Sequence, residues 1–202
     1  SYDGHYFYDA SNEEKFLSML NDYNAGTRKN SLNVNNPYYN YFQYLPLRSK
    51  SNYTADDLNT IINNNTISSS KLRNLGQTFI DAQNKYGVNA LVLLSIAVNE
   101  SSWGTSNIAM TKNNLFGLNA VDSSPGQSAN YYSDVRNCVK DMAQTYLSKQ
   151  YLYSSNWKYF GGFLGDKASG CNVKYASDPY WGEKAAHFAW IIDNKNQNKD
   201  KE

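Results

Sequence analysis

Cysteine is nearly missing from this chain of 202 residues, with Cys138 and Cys171 as the only two. Such a pair supports neither a disulfide framework nor a zinc pattern, and sequence alone does not bring their Cα atoms within bridging distance. Histidine is as scarce. His5 and His187 lie far apart without companions, so no metal site and no cofactor is expected. An excess of one charge is also missing. The formal net charge of +1 gives no field favouring nucleic acid or any other polyanion. No apolar run reaches the ~18 residues of a membrane-crossing helix, so no membrane span is expected. No signal peptide is visible. The start at Ser1-Tyr2-Asp3 reads as a piece of a longer chain, which leaves localisation open at this point. Finally, no glutamate stands between Glu100 and Glu183.

What is abundant is aromatic surface: 15% of residues, including 18 Tyr and 4 Trp. Tyr and Trp join a flat apolar face to a polar edge, the same mixture that sugars present with their C–H faces and hydroxyls. For any single Tyr, core packing is the plainer use. Hydrophobic residues make up 41%, enough for a core in one domain, or in a core with an extension.

Residues 1–70 are polar and rich in Asn, Tyr and Ser, and read as an N-terminal extension packed on the core. Within them, Glu13 to Leu20 has helical spacing, with Phe16, Leu17 and Leu20 on one side and Ser11 or Asn12 as cap. Tyr38 to Leu47 alternates loosely and reads as extended. Thr54-Ala55-Asp56-Asp57 opens a helix, with Thr54 as N-cap and Asp57 at the capping-box position. Residues 71–193 read as the core. Leu72, Leu75, Phe79 and Ala82 share a helical face that Gly87 ends. Asn89 then caps a helix from Ala90 to Asn99 that is apolar almost all round, as a central helix is. After Gly104, the Asn113-to-Gly117 segment, Asp122-Ser123-Ser124-Pro125-Gly126 and Tyr131-Tyr132 predict a small β-hairpin lobe. Helices follow from Val135 to about Tyr146 and from about Trp181 to Asp193. Residues 194–202 are expected to fray. The fold class is α+β, mainly α.

The richest stretch is Val98-Asn99-Glu100-Ser101-Ser102-Trp103-Gly104-Thr105-Ser106. It sets one carboxylate at the end of the apolar helix, just before a glycine turn. A carboxyl there is partly desolvated, which raises its pKa. A proton held near neutral pH is what a general acid for glycosidic-bond cleavage needs. A plain solvent-facing Glu at a helix end fits the bare pattern equally well.

Together with Lys112-Asn113-Asn114-Leu115-Phe116-Gly117-Leu118 and Val173-Lys174-Tyr175-Ala176-Ser177-Asp178-Pro179-Tyr180-Trp181-Gly182-Glu183-Lys184, this segment resembles the endo-β-N-acetylglucosaminidases of glycoside hydrolase family 73. The likeness runs from about Tyr6 to Ile192 and is strongest to catalytic domains of clostridial-type autolysins. It implies a lysozyme-like fold. It also implies hydrolysis of the β-1,4 bond between N-acetylglucosamine and N-acetylmuramic acid in peptidoglycan, by a secreted, wall-localised enzyme. This domain is then expected to be monomeric and to belong to a longer chain with wall-binding repeats, its partner being the peptidoglycan glycan strand.

By that resemblance Glu100 is the catalytic acid and Tyr175 a functional tyrosine, its hydroxyl placed either to orient the substrate's acetamido group or to stabilise developing positive charge. Family members often carry a second acid some thirty residues on. Asp122 and Asp134 are the candidates, and Asp134 stands 34 residues after Glu100. Ser133-Asp134 also reads as an ordinary N-cap. Without a close second carboxylate, two mechanisms stay open: water attacking from the far side with a distant base, or the 2-acetamido group of the sugar as nucleophile. Asn114 and Phe116 are expected to line the cleft. Tyr132, Tyr180 and Trp181 are expected as sugar-stacking platforms, whereas Trp103, three residues after Glu100, is expected to pack beside it. Two other functions fit part of the pattern: a lytic transglycosylase with the same acid, told apart by a 1,6-anhydro product, and a non-catalytic wall-binding module.

Overall fold

The computed structural model describes residues 4–120 and 125–201. The chain divides into two compact units, Ser1–Asn40 and Tyr41–Glu202.

In the first unit, helix α1 (Glu13–Ala25) is capped by the Asn12 side chain, which accepts from Lys15 N, and is closed by left-handed Gly26. The apolar stripe expected to face inward does not: Phe16 and Leu17 are exposed. The buried position is Asp22. Its carboxylate accepts from the Tyr8 hydroxyl, Thr27 Oγ1 and both the backbone and side-chain nitrogens of Asn30. A short polar unit with few apolar residues is organised around this acceptor instead of an apolar core. A single antiparallel bridge joins His5 to Tyr38.

In the second unit the helices are α2 (Tyr41–Tyr44), α3 (Ala55–Asn65), α4 (Gly76–Tyr86), α5 (Ala90–Ser101), α6 (Asn107–Lys112), α7 (Pro125–Ser128), α8 (Val135–Asp141), a π-helix (Met142–Tyr151), α9 (Asn172–Tyr175) and α10 (Trp181–Lys195). Of the 38–47 segment, only Tyr38 pairs in an extended bridge, while Tyr41–Tyr44 forms a helical turn with Phe42 fully buried. The Thr54–Asp57 capping box forms in both directions. Every residue of α5 from Ala90 to Val98 is buried, and α10 and α4 pack against it. Phe42, Leu47, Leu58 and Ile62 join the same apolar cluster as Leu91 to Leu94. Residues 41–70, which the sequence reading groups with the extension, thus belong to the compact unit that holds the core. Burying a leucine contributes about 1.5–3 kcal/mol. Leu94→Ala is expected to lower unfolding stability by about 2–5 kcal/mol, read as a shift of the denaturant midpoint at unchanged m.

The expected hairpin lobe has no paired strands among its described residues; Asp122 and its turn partners to Ser124 lie outside them. Asn114 takes the place of a ladder. It is buried, its Nδ2 donates to Leu118 O and Asn130 O, and its Oδ1 accepts from Phe116 N and Leu118 N. In a loop rich in Asn and Gly, a side chain that satisfies four backbone groups outcompetes regular pairing. The tail expected to fray is held instead. Buried Asp193 accepts from the Tyr53 hydroxyl and from the backbone of Asp200 and Lys201, and Lys199 pairs with Asp57 at 2.8 Å.

Candidate active site

Glu100 sits in the last turn of α5, and an unusual stop fixes it there. Ser102, Trp103 and Gly104 are three consecutive left-handed residues (φ 49°, 57° and 75°). The two non-glycine positions cost about 1–2 kcal/mol each. Local bonds hold the turn. Buried Ser101 Oγ donates to Ala97 O and accepts from Gly104 N, while Ser70 Oγ donates to Trp103 O. A side chain at Gly104 would strike Ser70 Oγ at 2.6 Å, so glycine is required twice over. Because the helix ends at Ser101, Trp103 does not lie beside Glu100. Its ring meets Phe188 edge-on at 6.3 Å.

The Glu100 carboxyl is half-buried, facing a cleft of about 610 Å³. Its pKa is raised, first by burial and further by the nearby negative charge of Asp178. One interaction pulls the other way: Trp181 Nε1–H donates to Glu100 Oε1. No protein group bonds Oε2 among the described residues, leaving it as the oxygen open to the cleft. Trp181 is itself buried, stacked on Tyr175 at 4.4 Å and 30°. Tyr175 in turn meets Tyr151 edge-on at 5.5 Å. This aromatic stack is the rear wall of the acid.

Trp181 starts α10, whose first turn crosses the 161–170 loop so closely that a Cβ on Gly182 would lie 2.0 Å from Gly165 O. That approach brings the indole under Glu100. Tyr175 stays protonated, because burial and the Glu100 charge push its pKa well above the ordinary tyrosine value. Its hydroxyl touches only the sulfur of Met142, at 3.9 Å. A thioether is a weak acceptor, so this contact does little to hold the hydroxyl proton.

Asp178, one turn before α10, also lines the cleft. Lys184 Nζ lies 2.6 Å from its Oδ2, and Tyr180 N donates to its Oδ1. Led by the lysine, these bonds hold its pKa below the usual carboxylate value. The cleft therefore carries one carboxyl poised to hold a proton and one that stays ionised.

Of the residues expected from sequence, Glu100, Tyr175, Phe116 and Trp181 line this cleft. Trp181 is buried under the acid and offers no free face for a sugar. Asp134 does not line the cleft. It caps α8, accepting from Arg136 N, and pairs with the Arg136 guanidinium at 2.9 Å. Asn114 organises the loop from inside. The Tyr132 hydroxyl is committed to Asp141 at 2.6 Å, and Tyr180 points to solvent away from the lining. Sequence reasoning missed Asp178, Lys184, Tyr146 and Tyr151. Asp178 and Lys184 stood inside the Tyr-Ala-Ser-Asp motif and its continuation. Tyr146 and Tyr151 are five apart, which on an α-helix diverges by about 140°. Here the segment is wound as a π-helix, with Leu152 N reaching back five residues to Leu147 O, and both tyrosines reach the cleft.

Among the described residues no group of three or more His, Cys, Asp or Glu is arranged for a metal ion, and no helix is long and apolar enough to cross a membrane.

A carboxyl whose pKa is raised at the wall of an open cleft, with a second carboxylate of lowered pKa in the same lining, is a pairing suited to glycosidic-bond hydrolysis. Residues 76–194 match the glucosaminidase family model, described as mannosyl-glycoprotein endo-beta-N-acetylglucosaminidase. The chain belongs to this family of glycoside hydrolases. It is 37% identical over 209 residues to a Streptococcus pneumoniae serotype 4 protein named "Putative endo-beta-N-acetylglucosaminidase", covering 98% of this chain and 30% of that protein. It therefore spans under a third of that relative's length. Among solved structures, a catalytic mutant of S. aureus Autolysin E in complex with disaccharide NAG-NAM superposes with TM-score 0.56 at 22% identity, over 76% of this chain and 72% of that one. S. aureus glucosaminidase B superposes with TM-score 0.51 at 13% identity, over 96% and 80%. These likenesses show a shared fold.

Proposed function

We propose that this chain is the catalytic domain of a secreted cell-wall autolysin, of the kind its motifs share with clostridial-type enzymes. Its substrate is peptidoglycan, and it cleaves the β-1,4 bond between N-acetylglucosamine and N-acetylmuramic acid with Glu100 as general acid. The observation that carries this reading is the raised pKa of a cleft-facing carboxyl whose Oε2 is free. The disaccharide bound to Autolysin E is the matching sugar pair. We read the fold as lysozyme-like, and the domain as a monomer within a longer wall-binding protein.

In this mechanism Glu100 gives its proton to the leaving oxygen as the C1–O bond breaks. The carbonyl oxygen of the substrate's 2-acetamido group attacks C1 from the opposite face, forming an oxazolinium ring. Tyr175 steers that group through its hydroxyl, and the ionised Asp178 balances the positive charge on the ring nitrogen. Water then opens the ring at C1 and returns a proton to the Glu100 carboxylate. Asp178 is the second carboxylate of this mechanism, a place for which the sequence reading offered Asp122 and Asp134 as candidates.

Trp181 is a positioning residue here. Its hydrogen bond favours the ionised acid, so Trp181→Phe is expected to raise the Glu100 pKa and move the alkaline limb of kcat to higher pH, with kcat reduced about tenfold. An unchanged limb with reduced kcat would assign Trp181 to packing alone. Mass spectrometry of sacculi digests tests the reaction. A reducing N-acetylglucosamine end is expected. A 1,6-anhydro end would mean a transglycosylase, and wall binding without cleavage a binding module.

A further inference from the structure

Beyond the cleft, the loop after the π-helix carries an aromatic and cationic patch with no part in the chemistry above. Trp157 is 70% exposed, a costly position for an indole, and Phe160 beside it is also exposed. Two lysines border the rings. Lys158 Nζ lies 5.5 Å from the Trp157 ring centre, and Lys174 Nζ lies 5.7 Å from Trp157 and 5.5 Å from Phe160. The patch backs onto the cleft wall at the Tyr151 ring, itself only 5% exposed. That ring lines the cleft and also lies 5.4 Å from Lys158 Nζ, and its hydroxyl donates to Lys174 O at 3.4 Å.

We infer that Trp157 and Phe160, with Lys158 and Lys174, form an extra subsite that takes the continuation of an anionic amino-sugar strand leaving the cleft. Three features fix the occupant. A pyranose presents a flat C–H face that stacks on an exposed indole. A strand that leaves the cleft across the wall backed by Tyr151 meets the patch on its far side. The two ammonium groups, each on a flexible stem, suit carboxylates carried by the strand, such as lactyl ethers or peptide stems, and a neutral glycan lacks these. The inference rests on the cleft being a glycan site, but not on any catalytic role of Glu100.

Co-sedimentation with purified sacculi tests it without turnover, using the Glu100→Gln protein as the parent. Adding Trp157→Ala is expected to weaken binding about tenfold, and Trp157→Phe to restore most of it, with melting temperatures unchanged. Adding Lys158→Gln and Lys174→Gln instead is expected to weaken binding to sacculi several-fold but to leave binding to chitin, a neutral N-acetylglucosamine polymer, unaltered. In the hydrolytically active protein, Trp157→Ala is expected to raise KM on sacculi with kcat preserved. Undiminished binding by Trp157→Ala, or an equal loss on chitin from the lysine changes, would overturn the subsite or its anionic character respectively. Absence of cleavage together with Trp157-dependent binding would refute the hydrolase reading and leave the subsite standing.

Discussion

Glu100→Gln is expected to lose about 10³-fold in kcat on purified peptidoglycan, in the middle of the range of general-acid contributions, while its fold persists. Glutamine keeps the volume and still accepts the Trp181 indole N–H through its amide oxygen, so the aromatic wall stays in register. What disappears is the transferable proton. Stability moves the other way. The folded-state pKa of Glu100 lies above its unfolded value, so this group's favourable contribution is complete below the unfolded pKa and is lost as pH rises through the folded one. Above that window the ionised acid destabilises the native state, and the neutral amide does not. The melting temperature of Glu100→Gln is therefore expected to equal or exceed that of the parent at pH 8 and to lose that advantage at pH 4. Turbidity loss of sacculi and calorimetry on the same preparations read both effects. Retained lysis, or a variant that unfolds, would remove Glu100 from the acid's role. The same titration gives the native enzyme a rate that falls as pH rises through the Glu100 pKa, because only the protonated form donates.

That an acid stands at this helix end was legible in the sequence because two short-range rules agreed there. The all-round apolar run from Ala90 to Val98 can only be a buried helix, and Gly104 can only be a turn, so whatever lies between them emerges from a rigid support. The capping box at Thr54, the left-handed Gly87 and the Asn89 cap were legible for the same reason, since each is written in three or four adjacent residues. What was not legible depends on crossings between distant segments. The Trp181 bond to Glu100 joins residues 81 apart, and only the glycine-on-glycine contact of Gly182 with Gly165 sets the indole at that depth. A tryptophan in a polar motif reads as a platform for sugar until that crossing buries it. The expected lobe falls partly on residues outside those described; in the part that is described the organising feature is Asn114, whose four bonds give the loop a polar centre that no periodicity displays. The π-winding of Met142–Tyr151 escaped as well, because a helix is read at 3.6 residues per turn and Tyr146 and Tyr151 align only at a wider pitch.

The second acid separates most sharply by substitution, since Asp178 and Asp134 now make opposite predictions. Asp178→Asn is expected to lower kcat about tenfold, since the charge lost beside the developing one is part-exposed and screened by solvent. Its amide can still accept from Tyr180 N, so the turn before α10 is kept, but the Lys184 ammonium is left without its counterion and the oxazolinium nitrogen without a carboxylate. A second readout comes with it. Asp178 is one of the causes that raise the Glu100 pKa, so its neutralisation is expected to move the alkaline limb of the rate profile to lower pH, the opposite direction from Trp181→Phe. Asp134→Asn, by contrast, is expected to change kcat less than twofold. Asparagine caps a helix as well as aspartate does, and the ion pair lost with Arg136 is solvent-exposed and contributes little. A large loss at Asp134 with Asp178→Asn fully active would return the second role to Asp134 and require the segment that carries it to move into the cleft when substrate binds.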